Sequence, residues 1–361
     1  MVVMLYSAAA HADDKPAVKL SGYGTVAAAT IDDESLEYSR NDISKGLKNQ
    51  VDIGFDSRLG VQLDVDFQNG LSAMWQVVAK RRIANLTAGD DKDFDIRTDW
   101  LYAQYQFRPG LNVRLGRMAL PTFLLSDSLD IGYAAPWLRA PVHMYASSIV
   151  TSFDGVQANV KFDVGPVNIS VQTSTGKSKT YLIQSGINTV LPVDPLNALN
   201  VVVEWNDWLA RAGSMKSKSV FFDMPIKDTY DTAGLQYDNG KALVMAEYAR
   251  RATKTTLNDL DIVQRCGFGY VALGWHFGKL LPLAMVSRFS IHYPTSLAGD
   301  QYLRAASRAA GVSLRYDVAP NIALKAQVER FRAKDAVAFL APRTDDPTRV
   351  HVYTVGIDFI F

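Results

Sequence analysis

Apolar and polar residues alternate along most of this chain, most strictly over residues 51–67. Val51, Ile53, Phe55, Leu59, Val61, Leu63, Val65 and Phe67 hold every second position there, with Asp52, Gly54, Asp56, Arg58, Gly60, Gln62, Asp64 and Asp66 between them. A strand sends two such sets to opposite faces, whereas a helix smears both around its cylinder. The run predicts one strand far longer than the ~5–6 residues of a soluble sheet, and long enough for the ~10 residues of a tilted membrane strand plus extensions into water.

After Gln68-Asn69-Gly70 the alternation resumes, with Leu71, Ala73, Trp75 and Val77 against Ser72, Gln76, Lys80 and Arg82. An Asn-Gly pair between alternating runs is the strongest short hairpin signal. The unit returns around Pro109-Gly110, Gly165-Pro166, Asn206-Asp207, Asp238-Asn239-Gly240, residues 278–282 and residues 317–321, making about seven tight turns. Longer polar connections lie near 31–50, 83–94, 118–152, 175–197, 215–228, 252–264, 294–304 and 333–347. Short and long connections alternate, which implies about sixteen antiparallel strands with both termini on the short-turn side. That is the form of an all-β, transmembrane antiparallel barrel with short periplasmic turns and long extracellular loops.

Closure follows because every backbone amide in lipid must be paired internally. The apolar set then faces the bilayer and the polar set the interior. Phe67, Tyr105, Phe107, Tyr237, Phe277, Tyr316, Phe359 and Phe361 all fall near short turns or the C-terminus, where a periplasmic aromatic girdle belongs. The last segment, residues 350–361, alternates to its end and stops on phenylalanine.

Composition narrows the function classes. The chain has 361 residues, of which 48% are hydrophobic and 21% charged, and its longest apolar stretches, such as 280–286, are far too short for a spanning helix. The net charge of +1 supplies no basic field for nucleic acid. Cys266 is alone, and His143, His276 and His292 show no metal-ligand spacing, so no metal or other cofactor is expected. Gly176-Lys177-Ser178 lacks the glycine a phosphate loop needs and reads as a polar loop. Gly22-Tyr23-Gly24 reads as easing strand curvature. No histidine stands with a serine in a hydrolase pattern. At the N-terminus, Ala10-His11-Ala12 has the small-x-small form of a processing site, although no Lys or Arg precedes Lys15. Residues 1–12 therefore read as a signal-peptide remnant and 13–361 as one barrel domain.

Ser57-Arg58-Leu59-Gly60-Val61 followed by Asn69-Gly70-Leu71-Ser72-Ala73-Met74-Trp75-Gln76 resembles the second hairpin of general Gram-negative porins. Leu115-Gly116-Arg117 ahead of a long third loop, and the terminal Gly356-Ile357-Asp358-Phe359-Ile360-Phe361, are similar as well. The resemblance implies a sixteen-stranded barrel, a homotrimer in an outer membrane of lipid and lipopolysaccharide, and a third loop folded into the pore. The chain departs from the family at that loop's tip, where Leu124-Leu125-Ser126-Asp127-Ser128-Leu129-Asp130-Ile131-Gly132-Tyr133 replaces a glutamate-glycine-rich segment.

Within this frame, loop 118–152 is the constriction loop, with Asp127 and Asp130 at its tip. Parity points Arg58, Lys80, Arg82 and Arg114 inward as a basic ladder facing those acids, so that a transverse field orients dipolar solutes. The same parity places Arg288, Arg315 and Lys325 in the lumen, with Lys161, Arg211 and Arg251, against Asp163, Glu204, Glu247, Glu329 and Asp358. A weak anion preference is expected. Pro136-Trp137-Leu138-Arg139-Ala140-Pro141 is either a stiff segment packed on the inner wall or a plain surface turn. The function expected is passive diffusion of small hydrophilic solutes and ions through a water-filled, non-enzymatic pore. The alternatives are a specific channel for small anions or dicarboxylates, and an outer-membrane barrel hydrolase.

Overall fold

The computed structural model describes residues 16–40, 43, 45–82, 94–148, 150–184, 187–221, 223–257, 260–293, 303–334, 340–341 and 348–361. The expected signal remnant and most of the connections 83–94, 294–304 and 333–347 lie outside them. The strands are β1 (Ala17–Ile31), β2 (Glu37–Tyr38), β3 (Arg58–Asp66), β4 (Leu71–Lys80), β5 (Asp95–Arg108), β6 (Leu111–Ala119), β7 (Ser152–Val164), β8 (Val167–Gln184) and β9 (Ile187–Trp205). They continue as β10 (Trp208–Phe221), β11 (Met224–Asp238), β12 (Ala242–Leu257), β13 (Leu260–Trp275), β14 (Leu280–Tyr293), β15 (Leu303–Ala319), β16 (Ile322–Lys334), β17 (Leu340–Ala341) and β18 (Thr348–Ile360). Sixteen of them pair antiparallel into a closed barrel in which β1 joins both β3 and β18, while β2 and β17 form a separate small ladder.

All seven tight turns fall where the sequence places them. At the first, Gln68, Asn69 and Gly70 all have positive φ, as a tight hairpin requires. The faces separate as the alternation predicts: Leu20 is 67% exposed on the outside while Thr25 is 1% exposed within. An outside covered by such residues is a lipid-facing surface. Phe67, Tyr105, Phe107, Phe277, Tyr316 and Phe361 are exposed at the short-turn end, joined by Trp205, Trp208 and Trp275. The seam is locked by aromatics over glycine. A Cβ on Gly22 would run into the Phe361 ring and one on Gly24 into the Phe359 ring, so these glycines make room for the last strand's rings across β1 and β18. Close aromatic approach, rather than curvature, is their use.

Three expectations need correction. The strand read from Val51 begins only at Arg58, because the Asp52 carboxylate accepts the backbone N–H groups of Gly54 (2.7 Å) and Phe55 (3.0 Å) and turns the chain inward. Phe55 and Asp56 are consequently buried inside the barrel. Next, the connections expected near 175–197, 215–228 and 252–264 are mostly strand: β8 and β9, β10 and β11, and β12 and β13 continue until only short links remain. Gly176-Lys177-Ser178 therefore lies on a strand. Above the bilayer both faces meet water, so the alternation that reveals a membrane strand is lost while the backbone ladder persists. Finally, the inner face is not polar throughout. Leu243, Met245, Phe268, Tyr270, Leu283 and Met285 point inward from β12 to β14 and are buried in one apolar cluster.

Candidate functional site

That cluster is the seat of the third loop, residues 120–151 between β6 and β7, which runs inside the barrel. Phe123, Trp137, Met144 and Tyr145 of the loop pack into it, and Trp137 has no exposed surface. A second cluster, with Phe55, Tyr38, Phe331 and Val350, receives Val142 and Ala146 of the one-turn helix α1 (Val142–Tyr145) and its C-cap. The segment 136–141 is thus packed on the inner wall.

Polar anchors surround this seat. The Arg139 guanidinium, 2% exposed, donates to Asp56 (2.5 Å), Glu329 (3.0 Å) and Thr354 (2.7 Å). Burial pushes the Asp56 carboxyl up, but Arg139 and Arg40 outweigh it and hold it below the usual range. Gln327 accepts the N–H groups of Leu138 and Arg139 and donates to the Arg139 carbonyl, each at 3.0 Å. From β12, Glu247 accepts from Leu124 N–H (2.8 Å), Tyr270 hydroxyl (2.9 Å) and Tyr145 hydroxyl. Arg211 donates to the carbonyls of Pro121 and Phe123. His143 sits between the hydroxyls of Ser287 and Ser307, and burial pulls its pKa down to about 3. The loop is held by strands all around the closed half of the lumen, and its irregular backbone is satisfied by wall side chains.

Two more of the expected lumen cations, Lys325 and Arg315, belong to this scaffold as Arg211 does. Lys325 donates to the carbonyls of Gly132 (2.7 Å), Ala135 (2.7 Å) and Trp137 (3.1 Å) and pairs with Asp358 at 2.7 Å. Arg315 donates to Tyr133 (2.7 Å) and Ala135 (3.0 Å) carbonyls and lies over the Tyr133 ring. Arg288 does not join them. Its neighbour Ser287 points inward to His143, so Arg288 stands on the outer face. Polarity at that height no longer tells inside from outside, because both faces have left the apolar band.

The open side of the loop faces β3 to β8. Lys80, Arg82, Asp127 and Asp130 line one cavity of about 280 Å³ together with Gln76, Asp99 and Ser178. Asp130 does not face the wall across water: Lys80 Nζ reaches both of its oxygens at 2.7 and 2.8 Å. Burial raises the Asp130 pKa, and Lys80, Arg58 and Arg82 reverse that and lower it to about 2. Arg82 is occupied by Asp99 at 2.6 and 2.7 Å, an acid that parity alone does not single out. Arg58 is directly opposite Lys80 in register and lies in the adjoining cavity with Asp130. Asp127 is the exposed acid of the tip, with no ion pair among the described residues. Arg114 is set apart. It bonds Gln104 (2.8 Å) and lies over Tyr102, and Gln104 pairs with Ser72, roughly 25 Å along β4 from Lys80. The ladder is therefore Arg58, Lys80 and Arg82, with Arg114 nearer the short-turn mouth.

Solved structures with this architecture include the outer-membrane channel DcaP of Acinetobacter baumannii, with TM-score 0.65 and 11% identity over 96% of this chain and 97% of that one. An anion-selective porin from Comamonas acidovorans aligns at TM-score 0.64 and 15% identity over 96% and 100%. OmpF of Salmonella typhi, in complex with daunomycin, aligns at 0.55 and 14% over 95% and 97%. Such identities establish a shared fold. No curated protein sequence matches the chain. The sequence pattern of the Gram-negative porin family, however, matches residues 1–359. A closed barrel of sixteen strands, an inwardly folded third loop and a family match spanning nearly every residue agree: the chain belongs to the Gram-negative porins and forms a channel in the outer membrane.

Proposed function

We propose that this porin is a passive, non-enzymatic diffusion pore with a weak preference for small anions, working as a homotrimer surrounded by outer-membrane lipid and lipopolysaccharide. In this reading residues 1–12 are removed, 13–361 form the barrel, and 118–152 set the constriction. The observation that carries it is the cavity beside the seated loop, where Lys80, Arg82, Asp127 and Asp130 converge. Two pairs there neutralise each other, Lys80 with Asp130 and Arg82 with Asp99. Arg58 on the wall and Asp127 on the loop are left without an ion pair among the described residues, and Arg114 adds a further cation towards the mouth. Charge arranged this way biases ions without holding them. The anion-selective porin from Comamonas acidovorans shares this fold.

The hydrolase alternative finds no support at His143. The ring touches Ser287 and Ser307, yet it is fully buried and its low pKa leaves it too weak a base near neutral pH. Planar-bilayer recording of refolded protein across a salt gradient tests the proposal. The reversal potential should lie modestly on the anion side and move towards cations in Arg58→Gln. An unchanged value in that variant removes the basic wall from the account, and block by micromolar solute replaces passive diffusion with a binding site.

A further inference from the structure

The outer surface carries a feature that conduction does not use. Ser287 and Ser307 bond His143 inside the barrel, Phe331 packs against that ring, and Val350 is fully buried. Their neighbours Arg288, Arg308, Arg332 and Arg349 consequently stand on the outside, and all four are exposed. They also stand in line. Arg288 pairs in register with Arg308, Arg308 with Arg332, and Arg332 with Arg349, across β14, β15, β16 and β18. Adjacent strands lie about 4.8 Å apart. None of the four has an ion pair among the described residues. Like charges directly opposite on neighbouring strands are destabilising, so a row of four with no acid paired to it among the described residues is a place for a bound anion.

Its height names the anion's source. Towards the short turns the same outward faces become apolar, with Val286, Val312, Val328 and Val355 exposed below the row on the four strands in turn. The row therefore marks the upper edge of the lipid-facing band on the side of the long connections, where the headgroups of the outer leaflet lie. The opposite edge carries the aromatic girdle. Beside the arginines runs a surface groove of about 1090 Å³, lined by Arg288, Arg308, Arg330 and Arg332 together with Tyr248 and the side-chain-free Gly267 and Gly269. Guanidinium forks above a groove with an apolar floor match a phosphorylated sugar headgroup carrying acyl chains.

We infer that Arg288, Arg308, Arg332 and Arg349 form a binding site for the phosphate groups of the outer leaflet's anionic glycolipid, lipopolysaccharide. This rests on the reading above that such lipid surrounds the barrel, and it assigns the contact to one face. The test uses purified full-length protein titrated with inner-core lipopolysaccharide, the same glycolipid with its phosphates removed, and inorganic phosphate, following the heat-modifiable gel transition. The phosphorylated glycolipid should raise the transition temperature, and the other two should not. In Arg308→Gln/Arg332→Gln the glycolipid concentration needed should rise at least tenfold. Lys216→Gln/Lys218→Gln, on the outward face of β10, should match the unmodified protein. Arg349→Gln, at the end of the row, gives a smaller shift of the same sign and serves if the double variant does not fold. Undiminished binding in the arginine variants, or an equal response to the dephosphorylated glycolipid, overturns the site. A changed subunit number with unchanged glycolipid binding also overturns it and gives the row to a neighbouring protein. If the unmodified protein binds no lipopolysaccharide, the surrounding-lipid reading falls too, while normal conductance leaves the channel standing.

Discussion

The two halves of the barrel interior are built from different materials. Along β12 to β18 the inward residues form a protein core: Phe268, Leu283 and Met285 pack the loop, and Glu329, with Asp56 from ahead of β3, locks the loop's Arg139 by buried charge. Along β3 to β8 the inward face also carries polar side chains: Gln76 bonds Gln62, Arg114 bonds Gln157 and Arg82 bonds Asp99, and of these Gln76, Arg82 and Asp99 line the cavity. The first half fixes a shape and the second leaves a passage. A porin of this kind narrows its pore by turning one side of its lumen into a folded core.

Changes in the packed half should therefore disturb loop and conductance together, and changes in the wet half should alter selectivity alone. The largest effect is expected from Arg139→Met, which strands the Asp56 and Glu329 carboxylates in a buried site at a cost of ~3–5 kcal/mol. A lower thermal transition with larger, noisier conductance steps would show the loop coming free. Trp137→Ala should follow closely, at about 3 kcal/mol for an emptied aromatic site. Gln76→Ala, on the opposite wall, provides the contrast and should leave the loop in place.

A pH titration sharpens the same division. Burial lowers the folded-state pKa of His143 to about 3, below its ordinary value of about 6.5. A released loop would take up the proton first, so the seat is fully stable above about pH 6.5 and loses stability as pH falls from there towards 3. Conductance steps should become unsteady over that window, and His143→Gln should flatten the dependence. The smallest effect on stability is expected from Asp130→Asn. The pair with Lys80, 21% and 22% exposed, borders the open cavity and is worth about 1 kcal/mol, yet freeing Lys80 should move the reversal potential further towards anions.

How much was legible in the sequence follows the same geometry. Where one face meets lipid and the other water, alternation and turn residues located the strands, and Asn69-Gly70 and Asn206-Asp207 fell at real hairpins. Where both faces meet one medium, the signal failed. Residues 175–180 continue as strand with polar residues on both faces, and the parity that placed Arg288 in the lumen had no apolar–polar contrast in the preceding run to set it. The run 280–286 is apolar on both faces because lipid lies outside and the loop core inside. The acids of the tip and the cations of β3 and β4 were recognisable from spacing and family resemblance. Arg139 was not, because the carboxylates that bind it come from Asp56 and Glu329, far away in the chain and joined only by the fold. An arginine held between two prolines in an apolar stretch was the available hint.

The account turns on the third loop lying inside the barrel with Asp127 in the passage. The direct measurement is single-channel conductance of Asp127→Cys in a Cys266→Ser background before and after a charged, water-soluble thiol reagent. Ser147→Cys, buried in the loop's seat, serves as the comparison. Stepwise loss of conductance at position 127, with little reaction at 147, is the predicted result. Complete labelling at 127 with unchanged conductance would place the loop outside the pore and contradict it.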